Sequence, residues 1–169
     1  GNQVCAVITD DVDESSFKNL IHLGADKVYV ISHAELSKGN IDAFVSYLEQ
    51  ICLQINPNVI LTSRTYMGRN IGARIAYRLE SGVAQDCIDV EIDRNSSRVI
   101  ATRPVYGGNA LARFTFNQDN PQVIILRVKS FDPNEIDTNR DGSIEKLNIS
   151  IDDDAIKLRL IETVKEESE

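Results

Sequence analysis

The 169-residue sequence has no tryptophan, one methionine, two histidines and three cysteines, and aromatic residues make up 6% of it. Each scarcity excludes something. His22 and His33 stand apart, so a His-rich metal site is not expected, and neither lies in a triad or HExxH context. Cys5, Cys52 and Cys87 form no CxxC pair and no disulfide framework, a usage that suits a reducing, cytoplasmic compartment. No run approaches the roughly 18 apolar residues of a membrane-spanning helix, so membrane insertion is not expected. The first residues show no basic stretch followed by an apolar one, so no secretory signal is visible. Positive charge is also short. Eighteen Lys and Arg against 26 Asp and Glu give a net charge of −8, the wrong sign for a general nucleic-acid coat. No serine sits in a GxSxG elbow and no GxxxxGK[ST] phosphate loop occurs. With no catalytic set in sight, the chain is not expected to be an enzyme by itself.

What is present is ordinary for one globular domain with an appendage: 42% hydrophobic and 26% charged residues, in a chain long enough to bury roughly 70% of its unfolded surface. The charge is uneven. Residues 128–169 hold 12 acids and six bases, a net −6, which leaves −2 for residues 1–127. A nearly neutral body and an acidic tail suggest two regions with different roles.

The near-continuous apolar run over 3–9 predicts a strand buried on both faces, closed by the turn chemistry of Asp10, Asp11 and Asp13. Ser15, Phe17, Leu20 and Ile21 mark a short helix that Gly24 stops. A second strand follows at 27–32. Ile41, Phe44, Val45, Leu48, Ile51, Cys52 and Ile55 recur at helical spacing on one face, with Asn40 as N-cap and Pro57 as terminator. A third strand at 59–63 and a helix over about 65–81 complete a β-α-β-α-β-α alternation. Such alternation argues for a mostly parallel sheet flanked by helices. After Gly82 the rhythm changes: 87–93, 98–103, 110–116 and 122–128 all read as strands with no helix between them, an antiparallel or mixed arrangement. We expect an α/β domain over 1–130, then an acidic linker and extended arm over 131–169.

Four segments carry possible chemistry. Thr62 to Arg69 lies where a parallel strand hands over to a helix, the end at which open α/β sheets bind ligands. Its hydroxyls, Arg64 and Arg69 would suit an anion, but Ser63 or Thr65 would equally well just cap the helix while the arginines pair with acids. Gly68, Gly72 and Ala76 recur every four residues and read as a packing stripe. Residues 137–145 open like a calcium loop, but Asn148 stands where a bidentate carboxylate belongs; a polar turn is the better reading. Thr102 to Ala110 pairs two glycines and Asn109 behind a proline, so Arg103 and Tyr106 either face a partner or flank a plain hairpin turn.

Taken in order, these landmarks resemble the N-terminal domain of an electron transfer flavoprotein alpha subunit. The matching residues are Gly24-Ala25-Asp26-Lys27-Val28, Pro57 to Leu61, Thr65, Gly68, Arg69 and Ala73-Arg74-Ile75-Ala76. Gly82 and Asp86 follow, then Arg103 to Ala110, Asp152-Asp153-Asp154 and Val164-Lys165-Glu166-Glu167. The resemblance implies an adenine-nucleotide-hydrolase-like layer serving as a scaffold and docking domain. Its partner would be a beta subunit, in an FAD-containing heterodimer that moves electrons from dehydrogenases to an acceptor. The family places most of its FAD contacts in a C-terminal domain of the alpha subunit, beyond this arm. No cofactor is therefore expected on this chain alone, only FAD in the intact complex. Partner docking falls to Arg64, Arg69, Arg103, Tyr106 and Asn109. The alternative is a stand-alone module binding ATP or AMP near Thr62 to Arg69.

The resemblance also makes residues 3–9 the family's second strand. The central strand would then be supplied by preceding chain or by another copy, or residues 3–9 would themselves occupy the centre. On the first of these, which we favour, residues 3–9 and 59–63 share no hydrogen-bonded ladder.

Overall fold

The computed structural model describes residues 3–117, 121–151, 153–158, 160–162 and 164. By internal contacts the chain falls into two compact units, 1–46 with 136–169, and 47–135.

In the first unit, β1 (Cys5–Thr9) leads into α1 (Glu14–His22), capped by the Asp13 carboxylate, which accepts from the Ser15 amide. Gly24, at φ 125°, follows the helix. β2 (Lys27–Ile31) pairs in parallel with β1 on one side and with β9 (Ser143–Leu147) on the other, so β2 is central. Its four apolar residues Val28 to Ile31 are all buried, as a central parallel strand requires. Phe17, Ile21, Ala25, Val28 and Val30 form the core here. β1 does not match its expected burial on both faces. Cys5 and Val7 are exposed, because α1 covers only the face carrying Ala6 and Ile8.

A four-residue helix α2 (Ala34–Ser37), which no periodicity announces, precedes α3 (Ile41–Ile55). The Asn40 side chain caps α3 as expected, accepting from the Asp42 and Ala43 amides. It also donates to the Leu158 carbonyl. Asp42, 2% exposed, accepts from the Lys157 and Leu158 amides, and Ile156 is buried beside them. The arm after β9 is thus tied to the start of α3. The calcium-like loop proves to be an Asx turn: Asp137 accepts from the Asn139 amide, and Arg140 pairs with Asp26 at 2.6 Å.

The second unit holds β3 (Val59–Ser63), α4 (Tyr66–Arg78), β4 (Val83–Cys87), β5 (Asp89–Ile92), β6 (Val99–Val105), β7 (Ala110–Thr115) and β8 (Gln122–Leu126). The expected single strand at 87–93 is two: β4 ends at Cys87 and β5 starts at Asp89. β4 itself escapes the sequence pattern because only Val83, Ala84 and Cys87 are apolar in it. β8 is parallel, inserted between β3 and β4, while β5, β6 and β7 form an antiparallel meander. The α/β class and the mixed character of the second half are as expected. β1 pairs with β2 and β3 with β8, so no ladder joins residues 3–9 to 59–63 among the described residues.

The small-residue stripe of α4 is a packing device. A Cβ on Gly68 would meet the Ser63 carbonyl oxygen at 2.1 Å, and one on Gly72 the Thr62 hydroxyl at 2.6 Å and Ile125 at 2.9 Å. The helix therefore lies closer to β3 and β8 than any larger residue allows. Among the described residues no helix is long and apolar enough to cross a membrane.

Candidate functional site

The register of the three parallel strands fixes the first part of the site. Ser63, Leu126 and Cys87 are neighbours at the carboxyl end of β3, β8 and β4. The residues that end each apolar run therefore meet: Arg64 after β3, Arg127 after β8, and Asp86 where β4 breaks register between Gln85 and Cys87. Asp86 takes φ 63°, a left-handed conformation that an aspartate tolerates better than most residues. Its bulge turns the carboxylate onto both arginines. Arg127 grips it with two bonds, Nε to Oδ1 at 2.9 Å and Nη2 to Oδ2 at 2.7 Å. Arg64 adds a contact at 3.1 Å. Bidentate pairing fixes direction as well as distance. The Arg127 bond holds the Asp86 carboxyl below its ordinary range. Arg64 and Arg103 push the same way, against the opposing effect of burial. Cys87 lies beneath, its thiol pushed up by burial, a packed sulfur and not a nucleophile.

The second part is the β6–β7 hairpin. β5 accompanies β6 only as far as Thr102, which pairs with Asp89. Beyond that point Arg103, Pro104 and Val105 run with Ala112, Leu111 and Ala110 as a two-stranded ribbon. Pro104 is tolerated because no third strand needs its missing N–H. At the tip, Tyr106 and Gly107 take φ 51° and 67°, and the Asn109 side chain donates to the Tyr106 carbonyl. A ribbon of two strands cannot bury both faces. Tyr106 is 84% and Leu111 62% exposed, and Phe114, below the ribbon opposite Ala101, is also exposed. An exposed tyrosine held at positive φ is an outlier of the kind that clusters at contact sites.

Arg103 joins the two parts. Its guanidinium lies 6.0 Å from the centre of the Phe114 ring, and Asp86 feels its charge. Yet its Nε, buried, has no hydrogen-bond partner among the described residues. Phe114, Phe116, Gly82, Val83 and Ala84 wall a notch of about 160 Å³ beside it. Three arginines around one carboxylate leave this corner positive in a chain whose net charge is −8.

The structure thus places the five sequence candidates unevenly. Arg64 and Arg103 share the field of Asp86. Tyr106 and Asn109 form the ribbon tip next to Arg103. Arg69 stands apart in the first turn of α4, its guanidinium 5.6 Å from the ring of exposed Tyr66. The capping alternative holds for Thr65, whose hydroxyl accepts from the Gly68 amide, and the pairing alternative for Arg64. Sequence reasoning missed Arg127, Phe114 and the part Asp86 plays. The available signal was a charge closing each apolar run, at 64, 86 and 127.

A family model described as the electron transfer flavoprotein domain matches residues 1–152. The chain is 32% identical over 166 residues to the electron transfer flavoprotein subunit alpha of Thermoanaerobacterium thermosaccharolyticum, covering 98% of this chain and 50% of that one. The chain belongs to the electron transfer flavoprotein family. The subunit alpha of Bacillus subtilis is 31% identical over 151 residues, 89% of this chain and 46% of that protein. A further relative in Acetobacterium woodii, 29% identical over 160 residues, covers 95% of this chain and 37% of its own length, and is named lactate dehydrogenase (NAD(+),ferredoxin) subunit LctC. The chain spans about half the length of the curated relatives it matches, a share consistent with the N-terminal domain of an electron transfer flavoprotein alpha subunit. Nothing in the geometry favours the ATP or AMP alternative. At the carboxyl end of β3, Arg64 is already engaged by Asp86.

Proposed function

We propose that this chain is the scaffold and docking domain of an electron transfer flavoprotein alpha subunit, working in an FAD-containing heterodimer with a beta subunit. The heterodimer passes electrons from dehydrogenases to an acceptor in the cytoplasm. The observation that carries the docking role is the ribbon beyond Thr102, with Tyr106 and Leu111 at its surface. Buried aromatic and arginine anchors dominate protein interfaces, and here Tyr106, Asn109 and Arg103 stand together on one hairpin. Arg64 and Arg69 lie in the same unit and would contribute charge. Residues 131–169, an acidic segment, return to the first unit as β9 and would then lead on to the flavin-binding part. The chain alone carries no catalytic set and no flavin. FAD would be held by the domain that this arm leads to and by the beta subunit.

Two measurements test this. The purified chain, incubated with FAD and then desalted into flavin-free buffer, is expected to be colourless; a flavin band that survives desalting at one per chain would overturn the assignment of FAD elsewhere. Co-purification with the cognate beta subunit is expected and should weaken at least tenfold in Tyr106→Ala. An unweakened complex would leave the ribbon a structural element.

A further inference from the structure

We propose that Arg103 and its apolar notch form a receptor for one carboxylate side chain of the protein partner, an Asp or Glu beside an apolar residue. This rests on the docking role proposed above and names the chemistry of the group that completes it. An arginine carries five N–H donors and always keeps its charge. Arg103 is more than half buried, its Nε is closed to solvent, and among the described residues no acceptor receives a hydrogen bond from its side chain. The Asp86 carboxylate, which feels the Arg103 charge, gives its hydrogen bonds and ion pair to Arg127 and Arg64 instead. A buried guanidinium N–H without an acceptor is unfavourable, and the Phe114 ring at 6.0 Å offers only partial compensation.

The surroundings select the occupant. With Arg64 and Arg127 nearby and one aspartate among them, the corner attracts negative charge. The notch of about 160 Å³ is below the roughly 300 Å³ at which small-molecule and nucleotide pockets begin, so it fits a single side chain. Phe114, Phe116 and Val83 make its walls apolar, which suits an aliphatic or aromatic neighbour of the carboxylate. It opens at the root of the exposed ribbon, so a chain lying along β7 would present its side chains there.

The test measures association of the whole chain with the cognate beta subunit by sedimentation, together with thermal melting of the chain alone. Arg103→Gln is expected to weaken association at least tenfold, and Arg103→Lys to recover part of it, because a lysine restores the charge but not the planar fork. Gly82→Ala, which places a methyl 3.5 Å from the Phe116 ring without clash, narrows the notch and should weaken association with no change in melting. Arg103→Gln should melt close to the wild-type temperature, since no hydrogen bond of the side chain is lost. If it binds as tightly as wild type, the inference falls while the docking role stands. If it melts several degrees lower, Arg103 is structural and the inference falls. If the wild-type chain does not bind the beta subunit at all, the docking role falls. The notch is then judged by titrating the chain with N-acetyl-glutamate amide while following the Arg103 Nε–Hε resonance. A saturable shift that is lost in Gly82→Ala supports the receptor, and its absence overturns it.

Discussion

Replacing Asp86 with asparagine removes a charge and little else, because asparagine is isosteric and accepts the left-handed backbone at this position. Asp86 makes two hydrogen bonds to Arg127 and one contact to Arg64, and its side chain is 15% exposed. Charge-assisted bonds contribute roughly 1.5–3 kcal/mol each when buried. The two arginines are 50% and 39% exposed, which pulls the total toward the weaker surface value. The variant also turns an amide N–H₂ toward a guanidinium. Weighing these, the loss is about 2–3 kcal/mol, or roughly 4–12 °C at this chain length. Four of the five tyrosines lie in residues 47–135, so urea unfolding followed by near-ultraviolet tyrosine signal reports mainly on the unit that holds Asp86. The pH dependence has a definite sign. The folded carboxyl titrates below its ordinary value of 3.8. Its stabilisation is therefore complete above that value and lost as pH falls through the lower folded one. The gap between wild type and Asp86→Asn should be constant from pH 5 to 8 and close below about pH 3.8. A gap under about 0.5 kcal/mol at pH 7, or one that persists unchanged at pH 2, refutes the stabilising role of the Asp86 contacts to Arg127 and Arg64.

Three further outcomes are expected. Thiol labelling at pH 8 should modify exposed Cys5 and leave Cys52 and Cys87 intact in the folded chain, since burial pushes the Cys52 thiol up to about 11 and raises Cys87 as well; rapid labelling of Cys52 would show that the α3 packing is wrong. Gly72→Ala, ordinarily helpful in a helix, should instead destabilise by about 1–2 kcal/mol because the new methyl meets Thr62 and Ile125 below 3 Å; a higher denaturation midpoint would contradict the close approach of α4. Asp42→Ala should speed hydrogen exchange at the Lys157 and Leu158 amides at least tenfold, as both donate to that carboxylate; unchanged exchange would mean the arm is held by Ile156 alone.

Local pattern made α3, β2 and the β6–β7 hairpin legible, because each is long or strongly periodic and needs no distant partner to be recognised. β4 was not, since Gln85 and Asp86 interrupt its apolar alternation. Its place is set by pairing with β8, some forty residues later. β8 was legible as a strand but not as a parallel one, because strand direction is decided by partners and not by composition. The same gap explains the site. Arg64 was singled out within a segment where a strand hands over to a helix, and it does follow the end of β3. That Asp86 and Arg127 stand beside it follows only from a register that brings the ends of β3, β8 and β4 level. Arg103 was noticed for its neighbours Pro104 and Gly107, whereas its unpartnered Nε is a property of three-dimensional burial alone.

The placement of β9 carries a consequence for how this chain is made. Lys27 pairs with Ser143, so β2 waits 116 residues for its second neighbour. At roughly 5–20 residues per second of synthesis, that is an interval on the order of ten seconds. Meanwhile Val28 to Ile31 can pair only with β1, and one edge of an apolar strand stays open. Residues 47–135, by contrast, contain all the strands of their own two sheets. They can fold while the ribosome still holds the segment that will close the first sheet. A pause in translation between residues 47 and 135 therefore lengthens the exposure of an adhesive edge without altering the finished molecule. Chaperone demand would depend on codon choice in the middle of the gene more than on the stability of the product.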